Sequence, residues 1–372
     1  MSATSNDLFA RPAHNPSFFE VSTAAPADRP LLDFCVPVNL HYPKDELFAA
    51  IGERLGDIVK YYPDFAEVHQ AHLSRIAGVP AENIVAANGS TEIITELVRA
   101  TDGPLLTCAP TFGQWTDLPR VHGVGVDYLL RRREKGFRLD PEEIVEHVRA
   151  IRARTLVLSN PSNPTGVGMP LDEVRFVAEA LPDLALIAVD ESFIDFSDLE
   201  SAAPLATESG NVVVVKSMGK TLGLHGVRLG YAVANLRYAE LIRRQMPFWN
   251  INGLAAFVLA HVAERPEVLE ASLAATAADR DAMAAALAGV PGLTVFPSAA
   301  NFLMVELEDG VSGTALRERL LTRHGVFIRE CGNKIGSSSR YLRLAVADRP
   351  SVERLVEALK DELGGAHALS PA

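Results

Sequence analysis

A run of four valines, residues 212–215, constrains the fold of this chain more than any other feature. β-Branched side chains favour an extended backbone, and four in a row without a polar interruption predict a strand that is buried on both faces. Such strands are typical of parallel sheets covered by helices, and these sheets bind ligands at the carboxyl ends of their strands. Because Ser217, Lys220 and Arg228 follow the run, we expect an anion-binding site there.

Strand-like and helix-like segments alternate in the sequence around the valine run. Amphipathic helical patterns, for example at 141–151 and 171–180, separate many of the predicted strands. These strands lie at 84–87, 104–108, 125–130, 155–159, 184–189 and 212–215. The alternation predicts an α/β fold with a largely parallel sheet that is sandwiched by helices.

The carboxyl-terminal third of the chain has a different order of elements. An alanine-rich stretch at 254–287 is helical by propensity. After it we predict the elements of a smaller α+β domain, namely strands 293–296 and 302–307, helix 313–324, strands 326–330 and 341–347, and helix 351–363. We therefore expect three parts: an arm at 1–43 that carries a strand at 31–35 and belongs to the small domain, a large domain at 44–250, and a small carboxyl-terminal domain at 251–372.

Charge and cysteine content argue against several classes of function. The 372 residues include 47 acidic and 35 basic side chains, a formal charge of −12, which disfavours nucleic acid or an anionic membrane as the main partner. The three cysteines have no metal-like spacing, so we expect no metal site and a reducing, cytoplasmic location. We also expect no transmembrane helix and no secretory signal, since the sequence has no apolar run of ~18 residues and no apolar core near its start.

Polar clusters follow four of the predicted strands. Residues 88–92, Asn-Gly-Ser-Thr-Glu, open a helix where free N–H groups, two hydroxyls and the positive end of the helix dipole form an anion cradle. An ordinary helix N-cap explains this motif equally well when it is taken alone. In residues 160–166 two prolines and a glycine fix a turn from which Asn163 projects its amide, although a purely structural turn is the alternative.

The other two clusters carry charge. Asp190 ends an apolar strand, so its carboxylate must be paired or hydrogen-bonded, and an N-cap or a structural salt bridge is the alternative to a functional role. Lys220 lies near Ser217 and Arg228, and a lysine in such a partly buried loop can act as a nucleophile or form a Schiff base. A loop lysine taken singly is usually a solvated charge. The conjunction of the four clusters is the stronger indication.

The order of these clusters resembles that of fold-type I pyridoxal-phosphate enzymes, in the group that contains histidinol-phosphate aminotransferase and threonine-phosphate decarboxylase. The likeness covers nearly the whole chain and rests on four motifs: Asn163-Pro-Thr-Gly166, Asp190-Glu, Ser217-x-x-Lys220 and Leu224-x-Gly-x-Arg228-x-Gly-Tyr231. The resemblance implies the aminotransferase fold of type I, with a large domain built on a mostly parallel sheet and a smaller α+β domain. It also implies pyridoxal 5′-phosphate as the cofactor.

The resemblance assigns roles to individual residues. Lys220 would hold the cofactor as a Schiff base and move a proton afterwards, Asp190 would pair with the ring nitrogen, and Arg343 would bind the substrate α-carboxylate. The other implied cofactor contacts are Gly89, Ser90, Thr91, Ser217 and Arg228 around the phosphate, Asn163, Phe112 and Phe193 around the ring, and Tyr62, a tyrosine lent by the neighbouring subunit of a homodimer with a shared active site.

On the substrate side the chain resembles the decarboxylase more closely. Phe193 replaces a tyrosine usual in the aminotransferases, and Arg329 would bind a distal phosphate or other anion, with a surface ion pair as its alternative. His14 stands where the decarboxylase has His-Gly-Gly, and only Asn39 is kept of an Asn-Pro pair. Both are predicted substrate contacts, and neither departure favours threonine phosphate itself. His225, inside the lysine loop, is more typical of a structural histidine than of a catalytic one.

We therefore expect decarboxylation of a small, anionic and phosphorylated L-amino acid. Transfer of the amino group to a 2-oxo acid, as in histidinol-phosphate aminotransferase, is the alternative. The bond that lies perpendicular to the cofactor ring is the one that breaks, and a sequence does not report that angle. A cofactor-binding regulator without catalysis is a remote third reading, because such regulators normally carry a DNA-binding segment and we expect none here.

Overall fold

The computed structural model describes residue 16, residues 18–26 and residues 30–364. Its strands are β1 (Leu32–Phe34), β2 (Ile84–Ala87), β3 (Leu105–Ala109), β4 (Val126–Leu130), β5 (Thr155–Ser159), β6 (Leu186–Asp190), β7 (Val212–Ser217), β8 (Gly230–Ala234), β9 (Leu293–Val295), β10 (Phe302–Leu307), β11 (Val326–Glu330) and β12 (Tyr341–Ala345). Its α-helices are α1 (Phe18–Ala24), α2 (Asp45–Lys60), α3 (Ala66–Ala77), α4 (Ser90–Arg99), α5 (Gln114–Val121), α6 (Pro141–Ile151), α7 (Leu171–Ala180), α8 (Ala203–Glu208), α9 (Met218–Thr221), α10 (Leu236–Arg243), α11 (Gly253–Glu264), α12 (Pro266–Leu287), α13 (Gly313–His324) and α14 (Arg349–Gly364). In these described ranges, no helix combines the length and the apolar character needed to cross a bilayer.

The larger sheet has seven strands in the order β2-β8-β7-β6-β5-β3-β4. Its neighbouring strands pair in parallel except at β8, which is antiparallel to both β2 and β7. Val212 and Val214 of β7 pack with helices α3, α6, α7 and α11 on one face, whereas Val213 and Val215 pack with α4, α5 and α10 on the other. All four valines are fully buried, which confirms the predicted α/β fold with a mostly parallel, helix-covered sheet.

The smaller sheet has five strands in the order β1-β11-β12-β10-β9. Only the edge strand β1 pairs in parallel, through Phe34 and Ile328, so the amino-terminal segment completes a sheet made by the end of the chain. Helices α12, α13 and α14 cover its apolar face. The proposed domain boundaries stay predictions, because α12 contributes Leu269 to the core of the larger sheet and Met283 to that of the smaller sheet.

Three local differences from the sequence prediction have physical causes. The alanine-rich stretch forms two helices, since Pro266 lacks the N–H that would continue α11 and instead occupies the first turn of α12. Lys220 lies in the single helical turn α9 rather than in a loop. No strand was predicted at β8, whose first residue is a glycine. A Cβ at Gly230 would lie 2.4 Å from the amide nitrogen of Ser90, so the close approach of α4 requires glycine here.

Candidate active site

A cavity of about 260 Å³ lies at the carboxyl ends of three neighbouring strands of the larger sheet. Ser159, Asp190 and Ser217 are the last residues of β5, β6 and β7, and all three line it. Parallel strands bring their carboxyl ends to the same edge of a sheet, which explains why residues far apart in sequence meet here. Other residues that the sequence predicted for the site line the same cavity, namely Ser90, Thr91, Phe112, Asn163, Phe193, Lys220, Arg228 and Arg343.

Lys220 projects from α9 into this cavity. Its Nζ donates a hydrogen bond to the Ser217 hydroxyl at 3.0 Å and lies 5.0 Å from the centroid of the Phe193 ring. Burial, helped by the positive charges of Arg343 and Arg228, lowers the pKa of Lys220 to about 8, although the carboxylate of Asp190 acts in the opposite direction. A lysine with this pKa has a neutral fraction near neutral pH, so it can act as a nucleophile or carry a proton.

A buried ion network lies directly beneath α9. The Nζ of Lys216 is 2.9 Å from Oδ1 of Asp195 and 3.3 Å from Oε2 of Glu191. Asp195 also accepts a hydrogen bond at 2.8 Å from Thr221, the neighbour of Lys220. Burial alone lowers the pKa of Lys216, but the two carboxylates outweigh it and the net shift is upward. This network was not predicted, and its one signal in the sequence is Lys216, which directly follows the valine run.

Asp190 is a buried carboxylate held by three neutral donors. Its Oδ2 accepts a hydrogen bond from the indole N–H of Trp115 at 2.8 Å, and its Oδ1 accepts from the hydroxyl and the backbone N–H of Ser192 at 2.6 and 3.1 Å. In the described part of the chain Asp190 makes no salt bridge, so the alternative of a structural ion pair does not account for it. Trp115, on α5, was not anticipated from the sequence because nothing local connects it to Asp190.

The amino terminus of α4 supplies a concave set of donors. Its N-cap is Gly89, with φ of 79° and no capping side chain, so the plain N-cap alternative does not explain the hydroxyls of Ser90 and Thr91. Arg228 packs so closely on Gly89 that a Cβ there would lie 2.4 Å from Nη2. The Ser217 hydroxyl completes the set. These donors fit a phosphate, and with Lys220 within reach of the same hydroxyl the residues present fit pyridoxal 5′-phosphate.

Arg343 forms the wall of the cavity that comes from the smaller sheet. This buried guanidinium donates to Oδ1 of Asn163 at 2.8 Å and to the carbonyl oxygen of Cys35 at 2.6 Å, and it lies 5.2 Å from the centroid of the Phe302 ring. Within the described residues its Nε is buried without a hydrogen-bond partner. Arg343 therefore joins a turn of the larger sheet, the amino-terminal segment and the smaller sheet at one point.

Two predicted substrate contacts do not line the cavity. Asn39 is buried, and its amide donates to the carbonyl oxygen of Thr221 at 2.9 Å and to the hydroxyl of Ser272 at 2.8 Å. Its contacts are thus with the protein itself, and they tie the amino-terminal segment to α9. Arg329, on β11, donates to the side chain of Asn333 at 2.7 Å and stands outside the cavity wall.

The remaining predicted residues have varied positions. Tyr62 is 81% exposed, does not line the cavity of its own chain and stacks on Trp249 with 4.8 Å between ring centroids. His14 lies outside the described residues. His225 lines the cavity, but its Nε2 is 2.9 Å from the carbonyl oxygen of Pro37, and burial lowers its pKa to about 4. A neutral histidine bonded to backbone agrees with the structural reading of this residue.

The two sheets and the lysine at the end of β7 define a protein of the type I aminotransferase fold. The family model described as aminotransferase class I and II matches residues 55–359. The chain belongs to this family, whose members are pyridoxal-phosphate-dependent decarboxylases and aminotransferases. The resemblance inferred from the four sequence motifs is thereby confirmed.

Individual relatives include enzymes with decarboxylase names. The chain is 32% identical over 340 residues to a CMP-5′-(3-aminopropyl)phosphonate synthase of Streptomyces rubellomurinus, covering 90% of this chain and 53% of that protein. It is 27% identical to an L-serine phosphate decarboxylase of Campylobacter jejuni, covering 90% and 89% of the two chains. The solved structure of a decarboxylase from Sulfurospirillum multivorans superposes with a TM-score of 0.86 at 25% identity, covering 96% and 94%. The chain spans about half the length of the first two curated relatives it matches.

Proposed function

We propose that this protein is a pyridoxal-phosphate-dependent decarboxylase of an L-amino acid that carries a distal phosphate or phosphonate. The observation that carries the proposal is a single cavity in which Lys220, with a lowered pKa, and Asp190 lie between a phosphate-type donor set and the guanidinium of Arg343. The names of two relatives support the reaction and the distal group. One is an L-serine phosphate decarboxylase, and the other, of which this chain covers 53%, is named as the synthase of a CMP derivative of 3-aminopropylphosphonate.

The cofactor, when bound, supplies an aldehyde that reacts with amines and a ring that accepts electrons from the Cα of the substrate. In the proposed arrangement Ser90, Thr91, Ser217 and Arg228 bind its phosphate, with Gly89 leaving room for Arg228. The carboxylate of Asp190, fixed by its three donors, would keep the ring nitrogen protonated. Phe112 would pack against the ring and Asn163 would bond its oxygen, where Phe193 would offer no second hydroxyl.

Lys220 and Arg343 act on the substrate in this proposal. The amine of Lys220 would hold the cofactor in the resting enzyme and would supply the proton that the Cα receives afterwards. Arg343 would bind the α-carboxylate as a bidentate pair and so would orient the bonds of the Cα. Its present partners, an amide oxygen and a backbone carbonyl oxygen, are neutral acceptors, and a carboxylate is the stronger partner for a guanidinium.

Amino-group transfer is the second candidate, and the lowered pKa of Lys220 supports it as well. Transamination requires a base that moves a proton from the Cα to the cofactor, and an amine with a pKa of about 8 in the cavity can do this. The same amine serves both reactions, so the orientation of the substrate by Arg343 decides between them. The distal anion of the substrate is common to both candidates.

We further propose that the protein works as a homodimer in a reducing cytoplasm. Exposed aromatic side chains of Tyr62, Phe65, Phe248 and Trp249 lie close together, and a patch of this kind is typical of a protein interface. The family resemblance implies that Tyr62 of such a dimer would contribute to the phosphate site of the partner. The three described cysteines are all buried and free, as expected in a reducing compartment.

The test is to incubate the purified holoenzyme with O-phospho-L-serine, O-phospho-L-threonine, L-2-amino-4-phosphonobutyrate and histidinol phosphate, and to measure carbon dioxide and the state of the cofactor. Carbon dioxide released with the cofactor still in its aldehyde form supports the decarboxylase. Conversion to the amine form, reversed by a 2-oxo acid, would instead establish the aminotransferase. Lys220→Ala must lose the covalent, borohydride-reducible cofactor linkage, and survival of that linkage would refute the site.

A further inference from the structure

The loop between β11 and β12 contains a lysine that the sequence analysis did not single out. Two backbone hydrogen bonds of 3.0 Å hold Lys334 in a turn, one from its N–H to the carbonyl of Cys331 and one from the N–H of Ser337 to its carbonyl. Just before this turn, Glu330 accepts a hydrogen bond from the N–H of Gly332 at 2.6 Å. The backbone that carries Lys334 is therefore fixed from both sides.

The ammonium of Lys334 reaches across from the smaller sheet to the rim of the candidate active site. A Cβ placed on Gly113 would lie 3.4 Å from its Nζ and 3.2 Å from Oδ2 of Asp117, so the missing side chain at Gly113 leaves room for the lysine and for this carboxylate. Gly113 directly follows Phe112, which lines the cavity. Lys334 is partly buried, and among the residues that the structure describes no carboxylate forms a salt bridge with it.

Two guanidinium groups act on the charge of this lysine. Burial and the positive charges of Arg329 and Arg343 lower the pKa of Lys334 to about 8, while Cys331 and Asp117 act in the opposite direction. Arg343 is the proposed ligand of the α-carboxylate, and Arg329 lies opposite it in the pairing of β11 with β12. Like charges held close together destabilise each other, and an anion bound between them relieves the repulsion.

We propose that Lys334 binds the distal oxyanion of the substrate, a phosphate or phosphonate, and so selects phosphorylated amino acids over those with neutral side chains. The inference rests on the proposed function, because it takes Arg343 to hold the α-carboxylate of the same molecule. A phosphate or phosphonate dianion suits the position beside Lys334 better than a carboxylate does, since Arg329 adds a second positive charge near this lysine. Lys334 thus acts through substrate affinity and specificity.

The experiment measures dissociation constants of the holoenzyme for O-phospho-L-serine and for L-serine from the change in cofactor absorbance. Wild type is compared with Lys334→Gln, Lys334→Arg and, as a matched control, Lys360→Gln, which removes an exposed lysine on α14. Lys334→Gln is expected to raise the dissociation constant for O-phospho-L-serine about ten- to hundredfold, the usual loss of affinity for one charge-assisted hydrogen bond. Its affinity for L-serine should stay close to that of wild type, and Lys334→Arg should retain most of the preference.

The dependence on pH separates a charge effect from a packing effect. Only the protonated lysine attracts the anion, so the preference of wild type for O-phospho-L-serine should fall as the pH rises from 7 to 9 through the pKa of about 8. The arginine variant keeps its charge and should show no such fall. L-Serine, measured at the same pH values, corrects for titration of the amino group.

Two outcomes would overturn the inference: equal losses for both amino acids in Lys334→Gln, or no preference of wild type for the phosphorylated one. The proposed reaction fails separately. If O-phospho-L-serine binds through Lys334 but no carbon dioxide appears, the assignment of Lys334 is supported and decarboxylation is wrong. If carbon dioxide appears but Lys334→Gln leaves the preference for O-phospho-L-serine unchanged, only the assignment of Lys334 is refuted. Cofactor stoichiometry and circular dichroism of each variant exclude a folding defect.

Discussion

Replacing Lys216 by methionine tests whether the ion network under α9 stabilises the fold. Methionine keeps most of the aliphatic volume but leaves Glu191, which is fully buried, and Asp195 without their cation. Removing one partner of a buried ion pair costs about 3–5 kcal/mol. At ~2.1 cal/mol/K of unfolding entropy per residue, a chain of 372 residues loses about 4–6 °C in melting temperature for that cost. The measurement is differential scanning calorimetry at one fixed, saturating concentration of cofactor.

Lys135 provides a matched control for this experiment. It also pairs with two carboxylates, Asp140 at 2.7 Å and Glu143 at 2.9 Å, but on the surface, where solvent and salt screen the interaction. Lys135→Met should therefore shift the melting temperature far less than Lys216→Met. Equal shifts in the two variants would refute the reasoning. If burial of unpaired charge is the cause, adding Glu191→Gln and Asp195→Asn to Lys216→Met should restore part of the stability.

Three further predictions concern the cofactor site. Gly230→Ala should weaken cofactor binding in a titration, because its Cβ would lie 2.4 Å from the amide nitrogen that opens α4, whereas Gly226→Ala, with no atom within 4 Å, should bind as wild type does. The rate at which the apoenzyme forms the reducible cofactor linkage should rise with pH through about 8, as Lys220 loses its proton, and a rate that is flat between pH 7 and 9 would contradict the lowered pKa. Trp115→Phe should raise the dissociation constant of the cofactor about tenfold or more, since Asp190 loses a hydrogen bond of 2.8 Å while the core keeps an aromatic ring, and unchanged binding would remove Trp115 from the site.

Local patterns in the sequence were sufficient for six of the seven strands of the larger sheet and for much of the cavity. The burial of β7 follows from its valines alone, and the residues at strand ends meet because parallel strands share a carboxyl edge. Contacts between residues that are far apart in the sequence could not be predicted in this way. Trp115 lies 75 residues before Asp190, and Lys334 reaches the rim from the other sheet. Asn39 shows the converse. A sequence motif predicted that it contacts the substrate, but its amide is occupied by tertiary contacts with Thr221 and Ser272.

The division of the cavity between two sheets has an evolutionary consequence. Lys220, Asp190 and the phosphate donors belong to the larger sheet and its loops, whereas Arg343, Arg329 and Lys334 belong to β11, β12 and the loop between them. With the roles proposed above, substitutions in that short carboxyl-terminal stretch would alter which anion is recognised without disturbing the residues proposed to hold the cofactor. Proteins built on one such scaffold could therefore exchange substrates through changes in β11, β12 and their loop, while the chemistry at the strand ends stays intact.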